Sequence, residues 1–165
     1  MKKAILVIAT LLFALVPVWA AAQEHATPQE VYVKIVQAAS VVQNLGEESF
    51  SAFNDPKGEF AWKDAYAFVT NCEKKTIVAH PNPKLINLPS DKVLCYKTGR
   101  KILEETCQQI TPEGVWLEYW WPIQPGSDQI ARKVVFVVPV PGTPYQVLTS
   151  IFNENDSLED LNKIK

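Results

Sequence analysis

The chain has 165 residues, of which 47% are hydrophobic and 21% carry a charge. This length fits one domain with a sizeable core, so we expect no second domain. With 16 Lys and Arg against 18 Asp and Glu, the net charge is −2 and the basic residues are scattered. This charge distribution does not favour binding to the phosphate backbone of a nucleic acid, so we expect no nucleic-acid partner.

The first 22 residues have the three parts of a secretory signal peptide. Two lysines follow Met1, an apolar run spans residues 4–16, and three consecutive alanines end at Ala22. Small residues of this kind form the cleavage site of a signal peptide. We place the cut after Ala22, with Ala20 as the alternative position.

An uncleaved membrane anchor is the other interpretation of this segment, because residues 4–22 are just long enough to cross a bilayer. Pro17 and the alanine-rich end favour cleavage. Cleavage predicts a single mature domain at residues 23–165 in the periplasm or outside the cell. Loss of the two N-terminal lysines leaves that domain with a net charge of about −4.

A long amphipathic helix is predicted to begin after Thr27. Thr27 can cap the helix, Pro28 needs no donor at the first helical position, and Glu30 completes a capping box. Apolar residues then recur at helical spacing until Gly46 ends the run: Val31, Ile35, Ala38, Val42 and Leu45. A helix with one apolar stripe must pack on a flat apolar surface. Residues 47–53 are predicted to add a short second helix.

A strand pattern begins at Phe60, after turn residues at 54–58. Residues 73–75 then turn the chain into a second strand at 76–80, which ends before Pro81 because proline cannot donate to a ladder. Alternation places large side chains on one face and small ones on the other: Phe60, Trp62, Tyr66 and Phe68 against Ala65, Ala67 and Val69. The pattern predicts a sheet with a roomy side and a tightly covered side.

The second half of the chain predicts a three-stranded antiparallel meander. Short Pro- and Gly-rich segments join its strands, and parallel neighbours would need longer connections. The elements are an irregular connector at 84–99, a helix at 101–110, strands at 115–121, 133–140 and 145–152, and a short helix capped by Ser157. The order of elements predicts an α+β fold with helices layered on an antiparallel sheet.

The three cysteines, Cys72, Cys95 and Cys107, allow one internal disulfide in an oxidising compartment and leave one thiol. Their spacings of 23 and 12 residues, without a CxxC pair, give no zinc pattern. The sequence leaves the pairing open, and we favour Cys95 with Cys107. The remaining thiol is expected to be a small buried hydrophobe.

Motifs for catalysis are missing from the sequence. It has two histidines, His25 and His80, and it lacks a nucleophile elbow, a zinc-protease motif, a phosphate loop and a dinucleotide fingerprint. We therefore expect no enzymatic activity, no cofactor and no metal.

Two charged or titratable side chains at predicted strand ends have alternative interpretations. His80 either contacts a ligand beside the aromatic face of the sheet or bonds a loop carbonyl and fixes the turn before Pro81. Lys133 either lies at a pocket rim and holds a carboxylate or is a solvated residue at the start of an apolar strand.

Aromatic residues are concentrated in the predicted strands. A core of bulky rings explains most of them. Tyrosine and tryptophan also carry polar tips that need partners when buried, and an apolar pocket with a few such groups is the usual form of a small-molecule site.

Together these segments resemble the extracytoplasmic single Cache domains, which are PAS-like modules that bind small molecules. The similarity covers nearly the whole of residues 23–165, and its order and spacing are more specific than any one motif. It rests on residues 54–60, 66–68, 79–81, 114–116, 119–122, 125–126, 133, 141–143 and 145–147.

The resemblance implies a long N-terminal helix packed on a five- to six-stranded antiparallel sheet, with a ligand pocket between sheet and connector. It also implies pocket roles for six residues: Tyr66, Phe68, His80, Tyr119, Trp121 and Lys133. Family members sense small organic acids, amino acids or similar metabolites for chemoreceptors and kinases.

The resulting expectation is a periplasmic domain that binds a small metabolite, such as a short organic acid. It would act through a separate membrane receptor or kinase, and its N-terminal helix could form a homodimer. The alternative is an envelope interaction module that kept the fold and lost the ligand. Two departures from the family pattern motivate that alternative: the hairpin loop at 71–75 lacks the usual Asp and Gly, and Ser150 lies where the last strand usually has Gly.

Overall fold

The computed structural model describes residues 24–164, so the predicted signal peptide lies outside the described part of the chain. The helices are α1 (Pro28–Leu45), α2 (Phe50–Phe53), α3 (Ile102–Gln109) and α4 (Leu158–Leu161). The strands are β1 (Ala61–Trp62), β2 (Ala65–Tyr66), β3 (Phe68–Asn71), β4 (Thr76–Ala79), β5 (Val115–Pro122), β6 (Ile130–Pro139) and β7 (Tyr145–Phe152). Among residues 24–164, no helix has the length and apolar character needed to cross a membrane.

Helix α1 begins as its capping sequence predicts. The backbone N–H of Thr27 donates to Glu30 Oε2 at 2.9 Å, and the N–H of Glu30 donates to Thr27 Oγ1 at 3.3 Å. Four of the five predicted stripe residues are buried, but Leu45 is 54% exposed. Leu45 is the last residue of α1, at the end of the buried stripe.

The main sheet has five antiparallel strands in the order β4-β3-β7-β6-β5. The predicted meander of the last three strands is confirmed. Strand β3 pairs with β7, so Phe68 lies opposite Leu148 and the two halves of the chain share one sheet. The α+β fold with a long N-terminal helix and a five-stranded antiparallel sheet is therefore confirmed.

The predicted first strand is interrupted by a tight turn. Strands β1 and β2 pair with each other in a separate two-stranded sheet, with Lys63 at a φ of +49° in the turn. Because the chain reverses there, the alternation does not continue from Trp62 to Tyr66. Trp62 packs against the core beneath α1, and Phe60 stacks on Phe53 in that core with ring centroids 4.0 Å apart.

The two faces of the main sheet are packed differently. Helix α1 covers one face, where Ala65, Ala67 and Val69 lie in the larger core. The connector and α3 cover the opposite face, where Phe68 borders a smaller core. Helix α1 packs mainly on β6 and β7, so the tightly covered face lies beneath this helix and the roomy face lies on the connector side.

The disulfide joins Cys72 to Cys107, with 5.7 Å between their Cα atoms, so the predicted pairing of Cys95 with Cys107 is wrong. The fold brings the β3–β4 loop beside the end of α3, although Cys72 and Cys107 are 35 residues apart in the chain. Gln146 helps to hold α3 there, since its Nε2 donates to the carbonyl of Thr106.

Cys95 is a buried free thiol and accepts a hydrogen bond from the backbone N–H of Trp120. Burial raises the pKa of Cys95, but hydrogen bonds from Thr98 and from nearby backbone N–H groups outweigh burial and lower it to about 7.

Candidate ligand-binding site

All six residues that the resemblance implies as ligand contacts line one cavity on the connector side of the sheet. This inner cavity has a volume of about 80 Å³ and shares lining residues with a wider outer groove of about 760 Å³. Five side chains line both spaces, and we call them the neck: Tyr66, His80, Leu85, Trp121 and Lys133. The cavity brings the six residues together, and their role as ligand contacts stays a prediction.

Strand register places the polar side chains at the neck. Lys133 on β6 lies between Tyr119 on β5 and Phe152 on β7, its direct partners across the sheet. Alternate residues of a strand share a face, so Lys133 and Val135 both face the inner cavity. Tyr66 ends β2 and His80 follows β4, which brings these two side chains to the same neck.

His80 is 4% exposed and is held in place on two sides. Its backbone N–H donates to Asn54 Oδ1 at 2.9 Å, and its Nδ1 accepts from the backbone N–H of Asn82 at 2.8 Å. Its ring contacts Tyr66 and Phe68, with centroids 4.9 and 5.3 Å away.

Burial lowers the pKa of His80 to about 4, and the positive charge of Lys133 adds to this effect. The imidazole is therefore neutral at pH 7. Because Nδ1 is the acceptor for Asn82, the proton is assigned to Nε2, which has no hydrogen-bond partner within residues 24–164. His80 therefore fixes the loop, through the N–H of Asn82 and not a carbonyl. It also presents a donor at the neck, and its role as a ligand contact stays a prediction.

Lys133 is half-buried and lacks a counter-ion. Its Nζ lies 4.6 Å from the centre of the Phe152 ring, and in the described chain no carboxylate oxygen is within 4.0 Å of it. Burial lowers the pKa of Lys133, and the more distant negative charge of Asp64 partly opposes that effect. The ammonium group therefore favours an anion as its partner.

Two tyrosines add hydroxyl groups to the cavity wall. Tyr119 donates to Ser150 Oγ at 2.9 Å, and burial raises the pKa of Tyr119 far above its usual range. Burial also raises the pKa of Tyr66, whose hydroxyl has no partner among the described residues. Both phenols are protonated at neutral pH, and that of Tyr66 is free to donate.

Ser150 is a cavity residue that sequence reasoning treated only as a departure from the family pattern. The available signal was alternation along β7. Val147 and Ile151 belong to the core beneath α1, so Leu148 and Ser150 must face the opposite side.

The apolar lining of the inner cavity was also not predicted from the sequence. This lining comes mainly from the connector, from α3 and from individual positions on several strands. In these places no helical or strand periodicity identifies the residues that face inward. These side chains are Ile77, Leu85, Leu88, Val93, Ile102, Leu103, Val135 and Leu148. The cavity thus combines a mainly apolar interior with hydrogen-bond donors, which is the usual composition of a small-molecule site.

A family model for the Cache domain matches residues 56–155, more than half of the chain. The chain therefore belongs to the Cache domain family, and the resemblance stated from the sequence is confirmed. No curated protein sequence matches this chain.

Solved structures with the same fold are known. A periplasmic sensor domain of a chemotaxis protein has 18% identity and a TM-score of 0.54, with 76% of this chain and 90% of that chain covered. A Cache chemosensory domain, solved to explain carboxylic acid recognition, has 14% identity and a TM-score of 0.56, with coverage of 76% and 88%. A methyl-accepting chemotaxis protein from Vibrio parahaemolyticus has 14% identity and a TM-score of 0.51, with coverage of 78% and 84%. At these identities the similarity shows a shared fold.

Proposed function

We propose that this protein is a sensor domain that binds a short organic acid in the inner cavity. The observation that carries the proposal is the Lys133 ammonium group, which lies in the neck without a carboxylate partner in the described chain. A buried charge of this kind is costly unless it is paired. A ligand carboxylate would supply the missing partner, as a charge-assisted hydrogen bond.

The neighbouring groups have the polarity that a carboxylate requires. His80 Nε2 and the Tyr66 hydroxyl are donors without partners among residues 24–164, and none of the side chains lining the inner cavity is acidic. A carboxylate only accepts hydrogen bonds, so it would satisfy all three donors. The similar Cache domain solved for carboxylic acid recognition adds support.

The volume of the cavity favours a small ligand. One water molecule needs about 10–15 Å³ of such space, so 80 Å³ corresponds to roughly five to eight water-sized positions. An acid with about that number of non-hydrogen atoms would fit.

We further propose that the domain works in the periplasm and passes the bound state to a membrane receptor or kinase. The predicted signal peptide and mature domain at 23–165 support this location. Helix α1 exposes Val33 and Val36, which supports the proposed homodimer through this helix. The open cavity argues against the alternative of an interaction module without a ligand, because such a module would be expected to fill the space with its own side chains.

Calorimetry and thermal unfolding of the purified protein with a panel of two- to six-carbon acids test the proposal. An acid present at 100 times its Kd should stabilise the fold by about 2.7 kcal/mol and raise the Tm by several degrees. Lys133→Met should weaken binding at least tenfold, whereas the exposed control Lys57→Met should bind normally. Absence of binding by every acid, or equal binding by Lys133→Met, would contradict the proposal.

A further inference from the structure

We infer that the ligand binds with its carboxylate at the neck and its apolar tail in the inner cavity, so that the site selects short monocarboxylates over amino acids and dicarboxylates. This inference rests on the proposed function, because it assumes that an acid occupies the cavity. It adds the orientation of the acid and the chemical groups that the site rejects.

The orientation follows from the way polar groups are distributed between the two spaces. Lys133, His80 and Tyr66 line both the inner cavity and the outer groove, and Lys133 Nζ lies 4.6 Å from the ring centre of Phe152, a residue of the outer groove. The side chains that line the inner cavity alone are mainly apolar, including Phe68 and Leu148. An acid matches this arrangement when its charged end stays at the neck and its carbon chain points inward.

The polar side chains of Tyr119 and Ser150 inside the cavity do not change the inferred orientation of the ligand. Tyr119 donates its hydroxyl hydrogen to Ser150, so one of the two O–H groups is used within the pair. The pair is also uncharged, because the pKa of Tyr119 lies far above neutral pH. It therefore offers no charge to a second ionised group on the ligand.

An α-ammonium group on the ligand would meet cations and donors at the neck. The inner cavity has no acidic lining residue, and the Nδ1 acceptor of His80 is already bonded to Asn82. Asp64 lines the outer groove and not the inner cavity, and its two oxygens already bond the backbone N–H of Ala26 and His25. The ammonium would lie close to Lys133, and repulsion between the two positive charges opposes amino acid binding.

A second carboxylate at the far end of the carbon chain would enter the apolar interior. Burial of an unpaired charge among side chains such as Ile102 and Leu148 is strongly unfavourable. The site should therefore reject dicarboxylates of the same length as an accepted acid.

A comparison of three four-carbon ligands tests this selectivity by calorimetry. Butyrate should bind to the purified protein, whereas 2-aminobutyrate and succinate should bind roughly tenfold or more weakly. Affinity of either competitor equal to that of butyrate would overturn the inference and leave the proposed function intact. Failure of every acid to bind would overturn the proposed function itself.

A series of straight-chain acids from acetate to decanoate tests the orientation. With the tail inside, each added methylene should tighten binding roughly fourfold until the cavity is full, at about four to six carbons, and longer acids should bind more weakly. With the tail outside, affinity should continue to rise through decanoate because the outer groove is large. The second result would overturn the inference.

A variant of the cavity wall provides an independent check. Leu88→Ala enlarges the inner cavity and should move the preferred chain length upward by one or two carbons. Leu45→Ala, on the exposed side of α1, is the matched control and should leave the preference unchanged. An unchanged preference in a folded Leu88→Ala protein, verified by its unfolding curve, would contradict the inward orientation.

Discussion

The backbone N–H of Asn82 donates a 2.8 Å hydrogen bond to Nδ1 of His80. This contact fixes the ring and assigns its proton to Nε2, the nitrogen left without a partner in the described chain. The backbone of Asn82, two residues after His80, thus determines that Nε2 of His80 is the hydrogen-bond donor at the neck. The segment after β4 is therefore part of the site, and its Leu85 and Leu88 side chains line the inner cavity.

The titration of His80 predicts a specific loss of stability in mild acid. The pKa of His80 is about 4 in the folded protein, against an ordinary value of 6.5 for histidine, so the unfolded chain takes up the proton first. The contribution to stability is complete above pH 6.5 and disappears as the pH falls to about 4. The difference corresponds to about 3 kcal/mol.

Denaturant unfolding at pH 7 and pH 4 measures this contribution. Between pH 7 and pH 4, the free energy of unfolding should fall by about 3 kcal/mol more in the unchanged protein than in His80→Gln. Gln43→Ala, at an exposed and uncharged position, is the control and should keep the original pH dependence. Identical pH profiles for His80→Gln and the unchanged protein would contradict the buried, neutral state of His80.

The disulfide between Cys72 and Cys107 should contribute substantially to stability. It closes a loop that contains β4, the connector and most of α3, with a sequence separation of 35. For a loop of this size the chain-entropy model gives about 4 kcal/mol. The double variant Cys72→Ser/Cys107→Ser should lower the free energy of unfolding by up to that amount in denaturant titrations.

Mass spectrometry without reducing agent checks the pairing itself. Cys95→Ala should retain the disulfide, whereas Cys72→Ser should lose it. A peptide that links Cys95 to Cys107 in the unchanged protein would refute the pairing.

The hydrogen bond from Tyr119 to Ser150 should stabilise the cavity wall. Tyr119→Phe removes the donor and leaves the hydroxyl of Ser150 without that partner, at an expected cost of about 1 kcal/mol. A double-mutant cycle with Ser150→Ala should show coupling of similar size. Tyr96→Phe is the control, because Tyr96 is 61% exposed, and it should change the free energy of unfolding little. Additive effects of the two cavity substitutions would argue against the hydrogen bond.

Gly114 should tolerate no larger residue. Its φ is +87°, and an added Cβ would lie 2.8 Å from both the Phe136 ring and the carbonyl oxygen of Val137. Gly114→Ala therefore combines backbone strain of about 1–2 kcal/mol with overpacking of about 1–3 kcal/mol. Gly142→Ala is the matched control, since Gly142 has a φ of +72° with open space around it. In thermal unfolding Gly114→Ala should be the less stable variant, and equal stability would contradict the packing described here.

Local patterns predicted most of the secondary structure. The capping box at Thr27, the final strand at Tyr145–Phe152 and the cap at Ser157 are present as expected. These features depend on residues within a few positions of each other. The interrupted first strand shows the limit of this reasoning, because the pattern from Phe60 to Thr70 did not reveal the turn at Lys63.

Periodicity, turn chemistry and family resemblance were enough to predict the fold class, the two unlike faces of the sheet and the six side chains that line the inner cavity. The folded chain was needed to reveal the pairing of β3 with β7, the Cys72–Cys107 disulfide and the apolar lining from the connector. These last features depend on contacts between residues far apart in the chain. Such contacts leave no period and no local motif in the sequence.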